Sequence, residues 1–368
     1  MKLPQLTFTR FLAAILIVVF HIPSHTLRNL PAVGLLLSKA PAMVSYFFLL
    51  SGFILVVSNA SGTDLPTQIA RRPFWVNRFA RIYPLHLFAT VATFLLLYPT
   101  LQVDTNVLPW GIATFIPEIT LLHAWVLKWT PSLNYPSWSI SVEAVFYLIF
   151  PFLFQWLIRK TTAQIILFAA LTWVINQYIF IYYYDKATSP PILLYLPLFH
   201  LSTFICGVCT GILTLRHWQI MVRTRSIITA LFLLFLVSTI YLILDEARLM
   251  IYYHDGLLAP LFILAILFLT VQQGAFARWL SQPRLVYLGE ISYGIYLLQV
   301  PVGLASIQLN QRFIHLNSTL YVAFYLGLLF IISALCFEKI ETPSRRLLRK
   351  WLNPAHVTPK SAQKSVGV

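Results

Sequence analysis

The sequence predicts an all-α fold: a polytopic integral membrane protein of about ten transmembrane helices, with both termini in the cytoplasm. Three observations carry this. Hydrophobic residues make up 59% of the 368 and charged residues only 10%, which leaves too little polar surface for a soluble domain. Apolar runs recur near the roughly 20 residues that cross a bilayer as a helix. They are continuous and rich in Leu, Ile and Phe, unlike the alternating strands of about 10 residues that build a transmembrane barrel. Finally, Lys and Arg collect in alternate connections, as they do where short loops face the cytoplasm.

The first run, near residues 7–27, follows Lys2 and Arg10 as a secretory signal would, but no small-residue cleavage site accompanies it, and it is read as an uncleaved span. Further spans are expected near 41–59, 82–101, 137–158, 163–183, 193–215, 226–244, 256–272, 285–308 and 319–340. The stretch 108–126 is long enough for another, but Pro117 and Glu118 interrupt it. If it crossed, every later loop would change sides and the positive excess would reverse. It is therefore read as an interfacial or re-entrant segment on the outer face. The inner side then holds Arg10, Arg71, Arg72, Arg78 and Arg81 and a basic tail from Lys339 to Lys364, while the outer side keeps Arg28, Lys39, Lys128, Lys186, Arg248 and Arg312. The net charge of +15 is mostly this bias. Spread over many short loops, it does not indicate nucleic acid. Residues 1–350 form one membrane domain, and 351–368, rich in Lys, Ser and Pro, are expected to be a disordered cytoplasmic tail. Cys206 and Cys209 have redox spacing within an apolar run, but are better read as small packing residues beside Gly207 and Gly211, a small-xxx-small pattern suited to close helix contact.

Three constellations could carry chemistry. Arg10 and His21 bracket the first apolar run; eleven residues at about 100° each return them to one helix face, roughly 16 Å apart along the axis. Arg10 alone could be a snorkelling anchor and His21 a core imidazole, but an intramembrane ionisable group points by default to function. His25, one turn on, would make an H-x-x-x-H pair, yet no Asp, Glu or Cys nearby completes a metal site, and none is expected. In RRPFWVNRFARIYPLHLF, Arg78 and Arg81 share a helix face while Arg71 and Arg72 approach from the preceding loop. Guanidinium forks suit phosphate oxygens; lipid headgroups are the bland alternative. In PSWSISVEAVFYLIFP, Glu143 falls about two turns into its span, at a depth comparable to His21. It could orient that imidazole and offset its charge, or pair with Ser137, Ser139 and Ser141 of its own segment. Glu290 is a further acid nearer the cytoplasmic end. A transporter or flippase with a proton-coupled His/Glu pair would show similar features.

These residues carry a resemblance. The R-x10-H of Arg10 and His21, FFLLSGFIL at 47–55, RFARIYPLH at 78–86, SWSISVEAVFYLIFP, ISYGIYLLQ at 291–299 and Glu-Thr-Pro at 341–343 stand in the order of the motifs of acyltransferase family 3, which the chain resembles over nearly its whole length. At Gln299 family members often carry an aromatic residue or His, so no catalytic part is assigned to it. A stand-alone membrane domain is expected, without the extracytoplasmic hydrolase-like domain of some members. The resemblance implies transfer of an acyl group, usually acetyl, from acetyl-CoA or another short acyl-CoA to a hydroxyl of a carbohydrate or lipid-linked glycan, in a bacterial inner membrane. Arg10, Arg78 and Arg81 would hold the donor's phosphates. His21, oriented by Glu143, would act as the base, with direct transfer and an acyl-histidine intermediate both open. Ser141 or Trp138 would line the acyl pocket. Expected partners are the acyl-CoA, the glycan acceptor, the lipid bilayer and, as an open case, a second copy of the chain.

Overall fold

A computed structural model describes residues 3–22, 31–103, 107–126, 130, 132–184, 192–244 and 256–352. The described residues are helical, with a single isolated β-bridge between Ser61 and Asp64, as expected where lipid offers no partner to an open backbone. The long helices are α1 (Gln5–His21), α2 (Ala42–Asn59), α3 (Arg71–Val103), α4 (Trp138–Leu157) and α5 (Thr162–Tyr184). They continue with α6 (Pro197–Arg216), α7 (Arg225–Leu244), α8 (Ala259–Val271), α9 (Pro283–Leu309) and α10 (Ser318–Cys336). Eight are long and apolar enough to cross a membrane, and α1 and α8 are shorter apolar helices. Each of the ten expected apolar runs falls on one of these helices. Two boundaries differ in ways that matter below: α1 stops at His21, and α3 begins at Arg71, so the arginine cluster lies on the helix itself. The expected tail lies outside the described residues from 353 onward, and an amphipathic helix, Thr342–Leu352, reaches into its first two positions.

The core lies where α1, α2, α3, α4, α6 and α9 meet. Helices α2 and α6 are the most enclosed, whereas α7 is almost wholly exposed, as a lipid-facing helix would be. Because lipid is as apolar as Leu, close helix approach depends on small residues. A Cβ at Gly207 would overlap the Leu49 carbonyl, one at Gly52 the Phe204 carbonyl, and one at Gly211 the Val56 side chain. The Gly207/Gly211 pattern thus seats α6 on α2, with Cys206 and Cys209 free and buried beside it. In the same way Gly289 admits the Thr7 carbonyl and brings α9 onto α1.

A proline inside a helix leaves a carbonyl without its i+4 donor, and at two of them a side chain from elsewhere supplies the bond. Pro151 frees the carbonyl of Tyr147, which accepts from the Trp75 indole of α3 at 3.0 Å. Pro301 frees that of Leu297, which accepts from Asn134 Nδ2 at 3.0 Å. Both repairs adjoin the residues described next.

Candidate active site

Five helices enclose a cavity of about 100 Å³. Helix α1 contributes Arg10, α2 Ser51 and an apolar wall that includes Val44 and Phe47, α3 Arg78 and Arg81, α4 Glu143 and Tyr147, and α9 Tyr293 and Tyr296. The placement follows from helix periodicity: Arg78 and Arg81 are one turn apart, as are Glu143 and Tyr147. Ser51 Oγ donates to Glu143 Oε1 at 3.2 Å, and the Tyr147 hydroxyl donates to the same oxygen. Arg78 reaches Ser58 Oγ at 3.4 Å and lies over the rings of Phe74, at 5.4 Å, and Tyr147, at 5.9 Å. Tyr293 donates to the Ile82 carbonyl at 2.7 Å, tying α9 to α3 beside Arg81. A second cavity, of about 240 Å³, lies toward the Arg10 end and is lined by Thr7, Glu290, Glu341 and Arg345. Arg10, Leu50, Ile54 and Arg81 line both, so the two cavities adjoin with Arg10 and Arg81 between them. Among the described residues the one ion pair is Arg345–Glu341, at 3.9 Å. The guanidiniums of Arg10, Arg78 and Arg81 therefore converge on a cavity with no described carboxylate at ion-pair distance.

His21 lies beyond this cavity. Its Nδ1 is 3.0 Å from Gln299 Oε1, its ring meets Tyr135 edge-on at 5.3 Å, and Gln299 Nε2 donates to the Tyr296 carbonyl at 2.7 Å. Tyr296 separates the two places: its ring lines the cavity, its hydroxyl donates to the Pro136 carbonyl at 3.1 Å and accepts from Ser139 Oγ at 2.9 Å. Gln299 is one turn further along α9.

The structure brings Arg10, Arg78, Arg81 and Glu143 together, but it does not pair Glu143 with His21. Tyr135 stands at the level of His21, and Glu143 is eight residues, roughly 12 Å, deeper along the same segment. With α1 ending at His21, the carboxylate comes level with the arginines instead. Ser141 and Trp138 also depart from their expected lining role. Ser141 donates to the Leu121 carbonyl, Trp138 packs on Phe48, Tyr195 and His200, and Ser139 and Ile140 occupy the lining. The helix face that presents Glu143 and Tyr147 includes 139 and 140 and turns 138 and 141 away. His25 lies outside the described residues. The missed residues each left a trace in the sequence: Tyr147 is four positions from Glu143, Ser51 interrupts an apolar run, and Gln299 is a polar residue two before a helix-breaking proline.

A separate polar cluster occupies the connection between α3 and α4. Glu118, His86, His123, Ser137 and Asn134 are fully buried there. Glu118 Oε1 accepts from Thr90 Oγ1 at 3.0 Å, Ser137 Oγ at 3.0 Å and the Asn134 amide at 3.2 Å. His123 Nε2 is 3.1 Å from Ser137 Oγ, and His86 Nε2 donates to the Glu118 carbonyl at 2.9 Å. Burial raises the Glu118 carboxyl above its ordinary range, opposed by its donors. Burial also lowers the His123 imidazole to about 4. The helix carrying Glu118, Val107–Ile119, ends in a Schellman turn: Leu122 N meets Pro117 O at 2.8 Å and Leu121 N meets Glu118 O at 3.0 Å. That turn places Leu121 at φ 60°, where glycine is usual.

Comparison with known proteins agrees with the sequence motifs. A family model described as an acyltransferase domain matches residues 3–338. Among curated proteins, the acyltransferase MdmB of Streptomyces mycarofaciens is 37% identical over 171 residues, which cover 43% of this chain and 41% of that relative's length. The chain thus matches less than half of that protein. No solved structure matches.

Proposed function

The chain belongs to the acyltransferase family whose model spans residues 3–338, and from that premise we propose that this multi-pass membrane acyltransferase takes its acyl group, acetyl by preference, from acyl-CoA. The acceptor is a hydroxyl of a surface or exported carbohydrate, or of a lipid-linked glycan, and the membrane a bacterial inner membrane. One observation carries the reading. Arg10, Arg78 and Arg81 line adjoining cavities, and among the described residues no carboxylate stands at ion-pair distance from them. Such a site suits a polyanion, and guanidinium forks match phosphate. CoA is a cytoplasmic polyanion that cannot cross lipid, so its phosphates belong at the cytoplasmic mouth with the thioester deeper in. The separation of Arg10 from His21, roughly 16 Å along the helix, fits a pantetheine arm.

His21 then removes the acceptor hydroxyl's proton as the oxygen attacks the thioester carbonyl. The C–S bond breaks, the ester forms, and the thiolate leaves with the proton returned by the imidazolium. Glu143, among the arginines, offsets part of their mutual repulsion. A proton-coupled transporter built on a His/Glu pair finds no support in this geometry, since Glu143 is bonded to Ser51 and Tyr147.

Calorimetry in detergent with acetyl-CoA tests the two ends separately. Arg78→Ala and Arg81→Ala should each weaken binding by about 1.5–3 kcal/mol, the loss of a charge-assisted hydrogen bond, with partial rescue by Lys. His21→Ala should bind normally and transfer no label from radioactive acetyl-CoA to glycan in membrane vesicles of the producing cells. Normal affinity in both arginine variants would remove the donor from these cavities.

A further inference from the structure

We propose that Gln299 is a positioning residue that fixes the tautomer of His21 with its proton on Nδ1, which makes Nε2 the nitrogen that takes the acceptor's proton. The inference rests on the reading of His21 as the base.

The contact between His21 Nδ1 and Gln299 Oε1, at 3.0 Å, joins two groups of which one can only accept. An amide oxygen has no proton, so Nδ1 must carry one, and the neutral ring then has its lone pair on Nε2. The amide cannot be turned around to reverse this. Its Nε2 donates at 2.7 Å to the carbonyl of Tyr296, a group that offers no proton in return. Each end of the Gln299 side chain is thus committed, and the residue is 4% exposed.

The backbone beneath it is equally constrained. Pro301 removes the donor that would serve the Leu297 carbonyl, Asn134 supplies the replacement at 3.0 Å, and Tyr325 donates to the carbonyl of Gln299 itself at 3.1 Å. One turn of α9 is therefore gripped from two sides, and the amide it presents to His21 is held in place. Gly289, ten residues earlier on α9, lets the same two helices lie close together at the backbone of Thr7.

A neutral amide differs from a carboxylate at this position in a way that suits the reaction. It orients the ring but does not trap the imidazolium as an ion pair. The proton accepted from the hydroxyl remains easy to give back to the departing thiolate.

The test uses the whole protein in vesicles from producing cells, with radioactive acetyl-CoA as donor and the native acceptor in place. Gln299→Met keeps length and loses the acceptor atom; Gln299→Glu keeps an acceptor. Gln299→Met should lower kcat about 10²-fold, the scale of a misplaced general base, with KM for acetyl-CoA within about twofold. Gln299→Glu should retain at least about a tenth of the wild-type kcat. Nitrogen NMR of histidine-labelled protein, with His21→Ala to identify the resonance, should show Nδ1 protonated in the wild type and a mixture of tautomers in Gln299→Met. A wild-type spectrum with Nε2 protonated overturns the proposal, as does a folded Gln299→Met enzyme of near-normal kcat. If no variant, nor the wild type, transfers label, the acyltransfer reading of His21 fails, while the spectrum still decides the tautomer.

Discussion

Glu143 and Glu118 are both carboxylates drawn into an apolar bundle, and hydroxyl groups donate to both, yet their surroundings diverge. Glu118 is fully buried, accepts three hydrogen bonds and has no arginine among its partners. Glu143 accepts from two hydroxyls and faces a cavity shared with three arginines. A buried polar group that meets all its partners braces a structure, because each partner would be left desolvated by its loss. A carboxylate on a cavity wall among underpaired cations has work left for a ligand. What separates the two carboxylates is their company: Glu118 is enclosed by neutral donors, although His86 Nδ1, His123 Nδ1 and Asn134 Oδ1 of its cluster are buried without a hydrogen-bond partner among the described residues, whereas Glu143 shares a cavity with three cations.

The sharpest way to break this distinction is to remove each carboxylate in turn. Glu118→Leu strands three donors inside the protein, and its cost to folding should be about 4 kcal/mol, with acetyl-CoA affinity of the surviving folded fraction unchanged. Glu143→Leu leaves donors that can turn to water in the cavity. It should cost less than about 1 kcal/mol in stability while impairing acyl transfer. Thermal melting in detergent beside calorimetry reads both; equal losses of stability would erase the contrast.

Acidification should act on the packed cluster next. Because burial lowers His123 to about 4 from an ordinary 6.5, the unfolded chain binds the proton first between those values. The histidine's contribution is complete above about pH 6.5 and is lost as pH falls toward 4, by up to about 3 kcal/mol. Glu118, shifted upward, opposes this in its own range, so the histidine part is the difference between wild type and His123→Gln. Superimposable melting-versus-pH curves for the two proteins would show that His123 titrates normally.

The smallest expected effect lies at the seam of the cluster. Leu121 holds a left-handed conformation at φ 60° while its carbonyl accepts from Ser141. Leu121→Gly relieves about 1 kcal/mol of strain and gives up the contacts of a half-buried side chain, so its net effect on stability, read by thermal melting, should be within about 1 kcal/mol of zero. A large loss would mean that the side chain, rather than the turn, holds this segment.

Much of the architecture could be read from residue order. Each of the ten apolar runs falls on a described helix, and spacing put Arg78 and Arg81 on one face; Arg10 joined them only through the donor role that the family resemblance implied. The depth of Glu143 could not be read this way, because it depended on span ends counted from hydropathy alone. An apolar run through residue 27 carries the first helix past His21; in the structure α1 stops there, and His21 lies beside Tyr135, which precedes α4, and Gln299, midway along α9. Nor could helix spacing pair Gln299 with His21, 278 residues apart in the chain, since only the packing of α9 on α1 brings those faces together. Ser141 and Trp138 were misplaced for a smaller reason. Position within a motif does not fix which face of the helix looks inward, and a rotation of 100° separates a lining residue from a packing one.

The two proline repairs have a consequence for how the protein is made. In each, the group that satisfies the orphan carbonyl comes earlier in the chain than the carbonyl itself: Trp75 before Tyr147, and Asn134 before Leu297. Synthesis runs from the N-terminus, so the donor has already been laid down when the broken helix leaves the ribosome. The carbonyl, which hydrocarbon would penalise by several kcal/mol if left bare, finds its plug waiting. Reversing that order, by a circular permutation that starts the chain between α3 and α4, would send the Pro151 helix into the membrane before Trp75 existed.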